Sequence, residues 1–393
     1  MATIAEQLRR ECDGRIRTLI VGAGVAGLTL AALLHQRGER PVLVERARDL
    51  SEGGYNVALY PLGSRVLHGL GLYDRLLATS QPFNDYQLGN GRGETIHRFD
   101  LGSLVDRYGP ILGLRRHELL EVLRAGAPET IIVFGATVAA IGQRDGSVEV
   151  GFNDGSTAGF DLVVGADGIN SALRQQLLAP GEYAYWDSDW ACWLAWAPPT
   201  LMAPTASAEY WGASRFLGIY PVREGFGIFL GAPKTTVRSS DHRTLARELR
   251  AHMSAGLAQQ ALAAVENSPS PFIWDLHDCR SARWCRGRVT LLGDSAAAFL
   301  PTAGVGASMA MLSAAALADE LSRVDAAHVD YALRLFERRD RKKVEAAQNN
   351  SRRLARLIMV DSVPMAWGRD QLMKFYSLER ALKEVVELME GSI

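Results

Sequence analysis

Cysteine is scarce: Cys12, Cys192, Cys279 and Cys285 are the four in 393 residues. None belongs to a Cys-x-x-Cys pair and the eight histidines are scattered, so no zinc cluster is expected. A reduced, cytoplasmic setting is the simplest expectation. No uninterrupted apolar run approaches the ~18 to 20 residues that a transmembrane helix needs. The stretch from Met1 to Arg15 is charged and polar, without the apolar segment of a signal peptide. An excess of one charge is lacking too: the net charge is −1, which leaves no global field to draw nucleic acid or an anionic membrane. Internal repeats and low-complexity segments do not stand out. What remains is ordinary for a chain with a large core, at 48% hydrophobic and 22% charged residues. The length fits two domains, or one large domain with an elaboration.

Against that background three glycine-centred segments stand out. The first is Gly22, Gly24 and Gly27, in the spacing Gly-x-Gly-x-x-Gly. It follows a β-branched and aliphatic run, Arg15 to Val21, and opens a stretch of helical spacing from Leu28 to Arg37 that Gly38 stops. Gly22 permits a tight turn, Gly24 lets the backbone approach a pyrophosphate, and Gly27 lets helix and strand pack closely. The helix start then offers free N–H groups to the anion. Arg40 to Glu45 reads as a second buried strand, and Glu45 ends it 18 residues after Gly27. A carboxylate there accepts ribose hydroxyl protons and repels a 2′-phosphate, which suits FAD or NAD. Arg46 beside it is placed to touch adenine or a phosphate. Taken alone, this segment says only that an adenosine diphosphate binds.

The third segment extends the ligand. Arg288 to Leu292 delivers Gly293 and Asp294 to a strand end, where ligands sit in open α/β sheets. A short carboxylate there can bond a polyol hydroxyl. Alone, Asp294 would read as a turn or helix cap. Pro301, Gly304 and Gly306 follow, leading into a long helical stretch from Ala307. That helix start suits the negative charge of a reduced isoalloxazine edge. NAD has no such polyol, so the pair of segments points to FAD. The middle segment, Gly165 to Arg174, ends another buried strand, Asp161 to Val164.

Between these parts the pattern changes. Gly89, Gly91 and Gly93 lie between polar–apolar alternations and predict a hairpin. Short strands are expected at Ile131–Phe134, Val138–Gln143 and Val148–Phe152, with turns at Asp145 and Asp154. Tryptophans cluster at Trp186, Trp190, Trp193, Trp196 and Trp211, and strand-like alternation continues to about Ala232. The expected fold class is α/β: a discontinuous Rossmann-like FAD-binding domain with an inserted mixed β-sheet substrate domain and C-terminal helices. The expected division is 1–82, 108–182 and 281–330 for FAD, 83–107 and 183–280 for substrate, and 331–393 for the C-terminal helical segment.

These residues resemble the class A FAD-dependent monooxygenases, the para-hydroxybenzoate hydroxylase-like group. The family pattern matches Gly22, Gly24, Gly27 and Glu45, with Ala26 inside the first turn. Its Arg-x-x-Leu is similar to Arg116 and Leu119, and its arginine implies a contact to FAD. Its Gly-Ala-Asp-Gly-x-x-Ser-x-x-Arg is complete from Gly165 through Asp167, Gly168 and Ser171 to Arg174; in the family it serves both FAD and NAD(P)H. Its Gly-Asp and Pro-x-x-Gly-x-Gly match Gly293, Asp294, Pro301, Gly304 and Gly306, with Val305 and Ala307 in the same loop. The segment from Gly53 and Gly54 to Leu72 resembles the branch of tetracycline-inactivating and salicylate-type hydroxylases. Ala297, Leu300, Val305, Leu312 and Ser313 depart from residues frequent in the family beside the flavin.

The resemblance implies FAD as cofactor, a transient NADH or NADPH, O2 and a small aromatic or polyketide-like substrate. It implies hydroxylation through a C4a-hydroperoxyflavin, so the chemistry is the cofactor's and no catalytic triad is expected. A same-fold flavin reductase such as a saturase, a halogenase and a non-catalytic FAD-dependent sensor are the alternatives. Asp167 reads as a loop organiser rather than a base. By analogy of position the substrate would meet Trp211, Arg215, Phe216, Tyr220 and Phe229, with Arg215 holding a carboxylate or phenolate. The competing reading makes these core aromatics and a solvent-facing arginine. The upstream tryptophans read as packing. In the tail, Arg338 to Arg353 carries basic residues interleaved with acids, a solvated face. Met359, Met365 and Trp367 either cap the substrate pocket or pack on the body. Oligomeric state is left at monomer or homodimer.

Overall fold

A computed structural model describes residues 2–375 apart from 52–53, 145 and 255, together with 386–387 and 390. Part of the expected turn at Asp145, the start of the Gly53 segment and much of the chain beyond 375 lie outside the described residues.

The β-branched run after Arg17 forms the strand Thr18–Val21, buried along its whole length. It lies between Val42–Glu45 and Leu162–Gly165, both parallel to it. Val289–Leu291 and Ile132–Phe134 extend this parallel sheet on either side, and Cys285–Arg286 adds an antiparallel edge. Thr18–Val21 and Leu162–Gly165 are buried on both faces, as expected of a parallel sheet covered on each side. The helix Val25–Gln36 packs between helices Arg116–Arg124 and Gly306–Ser322, and its middle is buried all round. Its sequence is accordingly apolar throughout rather than striped. Because the strands are parallel, their C-terminal ends Val21, Glu45, Gly165 and Leu291 collect at one edge. The glycine segments are thereby brought together, although they are far apart in sequence.

A second sheet has seven strands, in the order Phe272–Ser281, Tyr183–Ala197, Gly225–Pro233, Arg215–Val222, Ala206–Gly212, Asp85–Asn90 and Thr95–Asp100. All neighbours are antiparallel except Ala206–Gly212 with Asp85–Asn90. The hairpin expected around Gly91 is its far edge. One face packs against helix Leu257–Glu266, which pairs in turn with His242–Ala251. Two small antiparallel sheets, Val138–Arg144 with Ser147–Phe152 and Thr157–Phe160, and Asn56–Leu59 with Ile111–Arg115 and Gln81–Phe83, complete the strands. A helix at Ile4–Glu11, which the polar start of the chain did not suggest, is capped by Thr3 and Glu6 and closes on the first small sheet through the Ile4 and Ala5 N–H groups, which donate to Asp154 and Ser156.

The 30-residue helix Val329–Ile358 does not stand apart from the body. Gln348 donates to the carbonyls of Cys279 and Ala298, and Arg352 makes a two-pronged ion pair with the buried Asp278. Thr302, in the Pro301 loop, donates to the Ser351 carbonyl at 2.7 Å. Arg339 and Arg341 pair with Asp319, Glu320, Glu337 and Glu345. Arg339, Arg341 and Arg352 of the basic run are therefore engaged in ion pairs.

Candidate active site

The glycine segments interlock. Gly22 has φ +108°, and a Cβ there would stand 2.3 Å from the Ala166 carbonyl oxygen, so the first segment lies directly on the middle one. Gly293, at φ +60°, leaves 2.7 Å between a would-be Cβ and the Ala26 methyl, so the third segment lies on the first. The middle segment is the brace. Asp167 accepts from the hydroxyls of Ser171 and Ser295 and from the Leu173 N–H. Gly168 N–H donates to the Ser295 hydroxyl, and the fully buried Arg174 donates to the Ser295 carbonyl at 3.0 Å. Arg174 also lies over the rings of Tyr183 and Tyr185. It therefore ties the flavin-end turn to strand Tyr183–Ala197 of the second sheet.

Above the interlocked turns runs a cavity of about 750 Å³. One end is lined by Gly22, Gly24, Ala26, Glu45 and Arg46. Gly24 caps helix Val25–Gln36 with nothing within 4 Å of a Cβ position, an open cradle over the helix start. Glu45 accepts from the N–H groups of Ala23 and Ala47, at 2.7 and 2.8 Å, which fixes its carboxylate at the strand end. The middle is lined by Arg116, Asp167, Gly168, Asp294, Pro301, Gly304, Gly306 and Ala307. Asp294 is open to the cavity and otherwise enclosed; that enclosure pushes its carboxyl up to about 6, against the pull of Arg116 and Arg174. Arg116 also reaches over the Tyr55 ring. Helix Gly306–Ser322 starts here with no side-chain cap, leaving its first N–H groups for a ligand. An open glycine cradle, a ribose-length acid, a cavity-facing aspartate and an uncapped helix start together fit FAD, a long dianion with a polyol in its middle.

The far end is walled by the inner face of the second sheet. Side chains alternate along a strand, and the residues that reach the cavity keep one parity: Ser207, Glu209 and Trp211; Phe216 and Tyr220; Phe229 and Gly231. Phe216 and Tyr220 bend over Gly218, where a Cβ would come within 3.0 Å of both rings. Arg215 belongs to the opposite parity. It lies beside Gly212 and Gly91 in the hairpin and is not on the cavity wall, so the expectation that it holds a substrate carboxylate is not supported. Adjacent strand residues such as Arg215 and Phe216 point to opposite faces.

Other expected residues also stand off the wall. Gly27 packs on the Gly22 carbonyl, Gly293 lies beneath the cavity, Val305 is buried under the loop, and Gly54 is exposed near Trp196. Trp190, counted among the packing tryptophans, is on the wall. Of the tail residues Met359 reaches the cavity, whereas Met365 and Trp367 are 65% and 67% exposed. Their helix, Val363–Met373, turns a different residue inward, Met373. Leu300 lines the cavity, Ala297 and Leu312 are buried, and Ser313 donates to the buried Asp340.

Sequence reasoning passed over Glu209, Tyr60 and Tyr86. Tyr220 donates to one oxygen of Glu209 at 2.6 Å and the Trp211 indole to the other at 2.7 Å, with the Tyr86 phenol against the same carboxylate. Burial raises the Glu209 pKa, and these donors work against that rise. Burial, helped by the Glu209 charge, pushes Tyr60 up to about 12 and holds Tyr86 and Tyr220 well above the usual phenol range. An acid two residues before Trp211 on an alternating strand was the available signal.

The family described as "FAD binding domain" matches residues 15–349. A 3-amino-4-hydroxybenzoate 2-monooxygenase from Streptomyces cremeus is 32% identical over 368 residues, covering 92% of each chain. The chain belongs to the FAD-dependent aromatic monooxygenases. Within that family, a salicylate hydroxylase from Pseudomonas putida is 31% identical, over 77% of this chain and 76% of its own. The Klebsiella pneumoniae HpxO structure with FAD and uric acid superposes with a TM-score of 0.83 at 25% identity, over 95% of this chain and 96% of that one. The para-hydroxybenzoate hydroxylase-like fold and FAD as the cofactor follow. As a member of the FAD-dependent monooxygenases the chain is an oxidoreductase. No described helix is long and apolar enough to cross a membrane.

Proposed function

We propose that the protein hydroxylates a small aromatic or polyketide-like ring, with NADH or NADPH as reductant. The observation that carries this reading is the continuity of the cavity. One space leads from Gly24 and Glu45, past Asp294, to Trp211, Phe216, Tyr220 and Phe229. The chemistry supplied by bound FAD is activation of O2 at its C4a position and delivery of an electrophilic hydroxyl to the ring.

The chain's own residues bind, orient and exclude water. Glu45 and the Val25–Gln36 helix start would hold the adenosine and pyrophosphate. Asp294 would accept from the ribityl hydroxyls. The first N–H groups of helix Gly306–Ser322 would stabilise negative charge on the reduced flavin. Aromatic walls and Met359 and Met373 keep the far end dry, which favours ring hydroxylation over water attack.

The test is product analysis under 18O2 with a panel of hydroxylated and aminated aromatics. One labelled oxygen in the product is expected. Rapid mixing of reduced protein, the turned-over substrate and O2 should show a transient absorbance distinct from that of reduced and of oxidised flavin. NAD(P)H consumption with an unlabelled, reduced product would instead support the reductase alternative.

A further inference from the structure

The substrate end of the cavity carries one charged side chain among the described residues, and it is an acid. The other charged groups on the wall are Glu45, Arg46, Asp167, Arg116 and Asp294. Glu45, Arg46 and Asp167 belong to the interlocked turns, and Arg116 is beside Tyr55 and Asp294. Arg369, near Trp211, is spent on the carbonyls of Trp211 and Ile358 and on Asp370, and is not on the wall. Glu209 is therefore what a bound ring meets first in the way of charge.

Glu209 also has acceptor capacity left. Two carboxylate oxygens offer about four acceptor positions. Tyr220 and Trp211 take one on each oxygen, and Tyr86 stands as a third donor. The donors pin the carboxylate against the wall, so it keeps its geometry before a substrate arrives. The position is close to the flavin end: Tyr60, which feels the Glu209 charge, lies 3.4 Å from a would-be Cβ of Gly304. A ring stacked on Phe216 or Tyr220 would lie within reach of both Glu209 and the Gly304 loop.

We propose that Glu209 determines substrate specificity: it selects an aromatic ring bearing an amino, ring N–H or phenol donor, and rejects a ring that presents a carboxylate there. An anion brought beside a second, enclosed carboxylate is repelled and has no cation to answer it. A ring without a donor leaves the remaining acceptor position desolvated and unpaired, which also weakens binding. This inference rests on the ring-hydroxylation reading for its substrate class.

The experiment titrates the FAD-loaded full chain with 2-aminophenol, its O-methyl-N,N-dimethyl counterpart, which has no donor, and benzoate, reading the perturbation of flavin absorbance. 2-Aminophenol is expected to bind about tenfold or more tighter than either other probe, the range for a hydrogen bond to a charged group. Glu209→Gln turns an amide donor toward the ring and is expected to erase that preference and favour benzoate. Its FAD content, measured in the same samples, should match the parent. Tyr220→Phe, which removes one donor holding the carboxylate, should narrow the preference without inverting it. Equal binding of the three probes, tighter binding of benzoate, no binding of 2-aminophenol, or an unchanged ranking in Glu209→Gln would overturn the proposal. The titration uses neither O2 nor NAD(P)H. Its failure therefore leaves ring hydroxylation standing, and loss of 18O incorporation leaves the binding preference standing.

Discussion

Asp294 shows how one residue's chemistry depends on its enclosure. In sequence it reads as a cap when taken alone and as a polyol ligand when taken with the other glycine segments; in the fold it faces the cavity with its pKa raised to about 6. The sign is then determined. Above about pH 6 the group is an ionised acceptor for ribityl hydroxyls, and below it the proton occupies the acceptor. FAD affinity is expected to fall as pH is lowered through that range, approaching about tenfold per pH unit. Equilibrium flavin binding from pH 8 to 5 measures this. Asp294→Asn should bind more weakly at pH 8 and lose most of the slope. A parent whose affinity is flat with pH would remove the role assigned to Asp294. Glu45→Ala should weaken FAD through the adenosine end, by about tenfold for the loss of charge-assisted hydrogen bonds.

Among the elements, the loop from Gly165 to Arg174 was legible as a motif with Asp167 as its organiser, but Arg174 was not legible as a brace. Its residues match a family pattern that is associated with nucleotide binding. In the fold Arg174 is fully buried and its terminal nitrogens donate to Ser295, Ile169 and Tyr185. Arg174→Met keeps much of the volume and removes the donors, leaving buried carbonyls unpaired. A loss of about 2 to 4 kcal/mol in urea unfolding is expected. Flavin retention should weaken with it, because Ser295 follows Asp294. A variant as stable as the parent would show that the Ser295 link is dispensable. Strand parity is the other lesson at this scale. Trp211, Phe216, Tyr220 and Phe229 were readable as inward aromatics, whereas Arg215 was admitted by its chemistry and excluded by its place one residue before Phe216.

The whole molecule closes one cavity with parts drawn from the parallel sheet, the seven-stranded sheet and the C-terminal helices. Removing FAD should therefore lower the stability of the entire chain rather than of one half. With FAD at a hundred times its Kd, linkage gives about 2.7 kcal/mol, a melting shift of roughly 3 °C for a chain of 393 residues. Differential scanning of apo and reconstituted protein checks this. A single transition that moves as one is expected, and a second transition insensitive to FAD would separate the sheets energetically. A buried cluster that joins Trp190 and Phe229 of the seven-stranded sheet to Leu300 and Ala355, and the latch of Thr302 to Ser351, couple these parts.

The sequence by itself determined the nucleotide half. Glycines at Gly22, Gly24 and Gly27, an acid at Glu45 and a second acid at Asp294 are local requirements of turn, helix start and strand end, and local requirements are written in adjacent residues. The FAD-dependent monooxygenase family could be read once the complete segment from Gly165 to Arg174 was added to them. Tertiary structure alone decided what the substrate end presents. Glu209 gains its meaning from Tyr220, Trp211 and Tyr86, which arrive from three strands, and Met359 and Met373 reach the cavity from helices that follow both sheets. Such a constellation has no spacing along the chain. Its charge balance, one acid and no cation among the described residues at that end, exists only once the strands are paired.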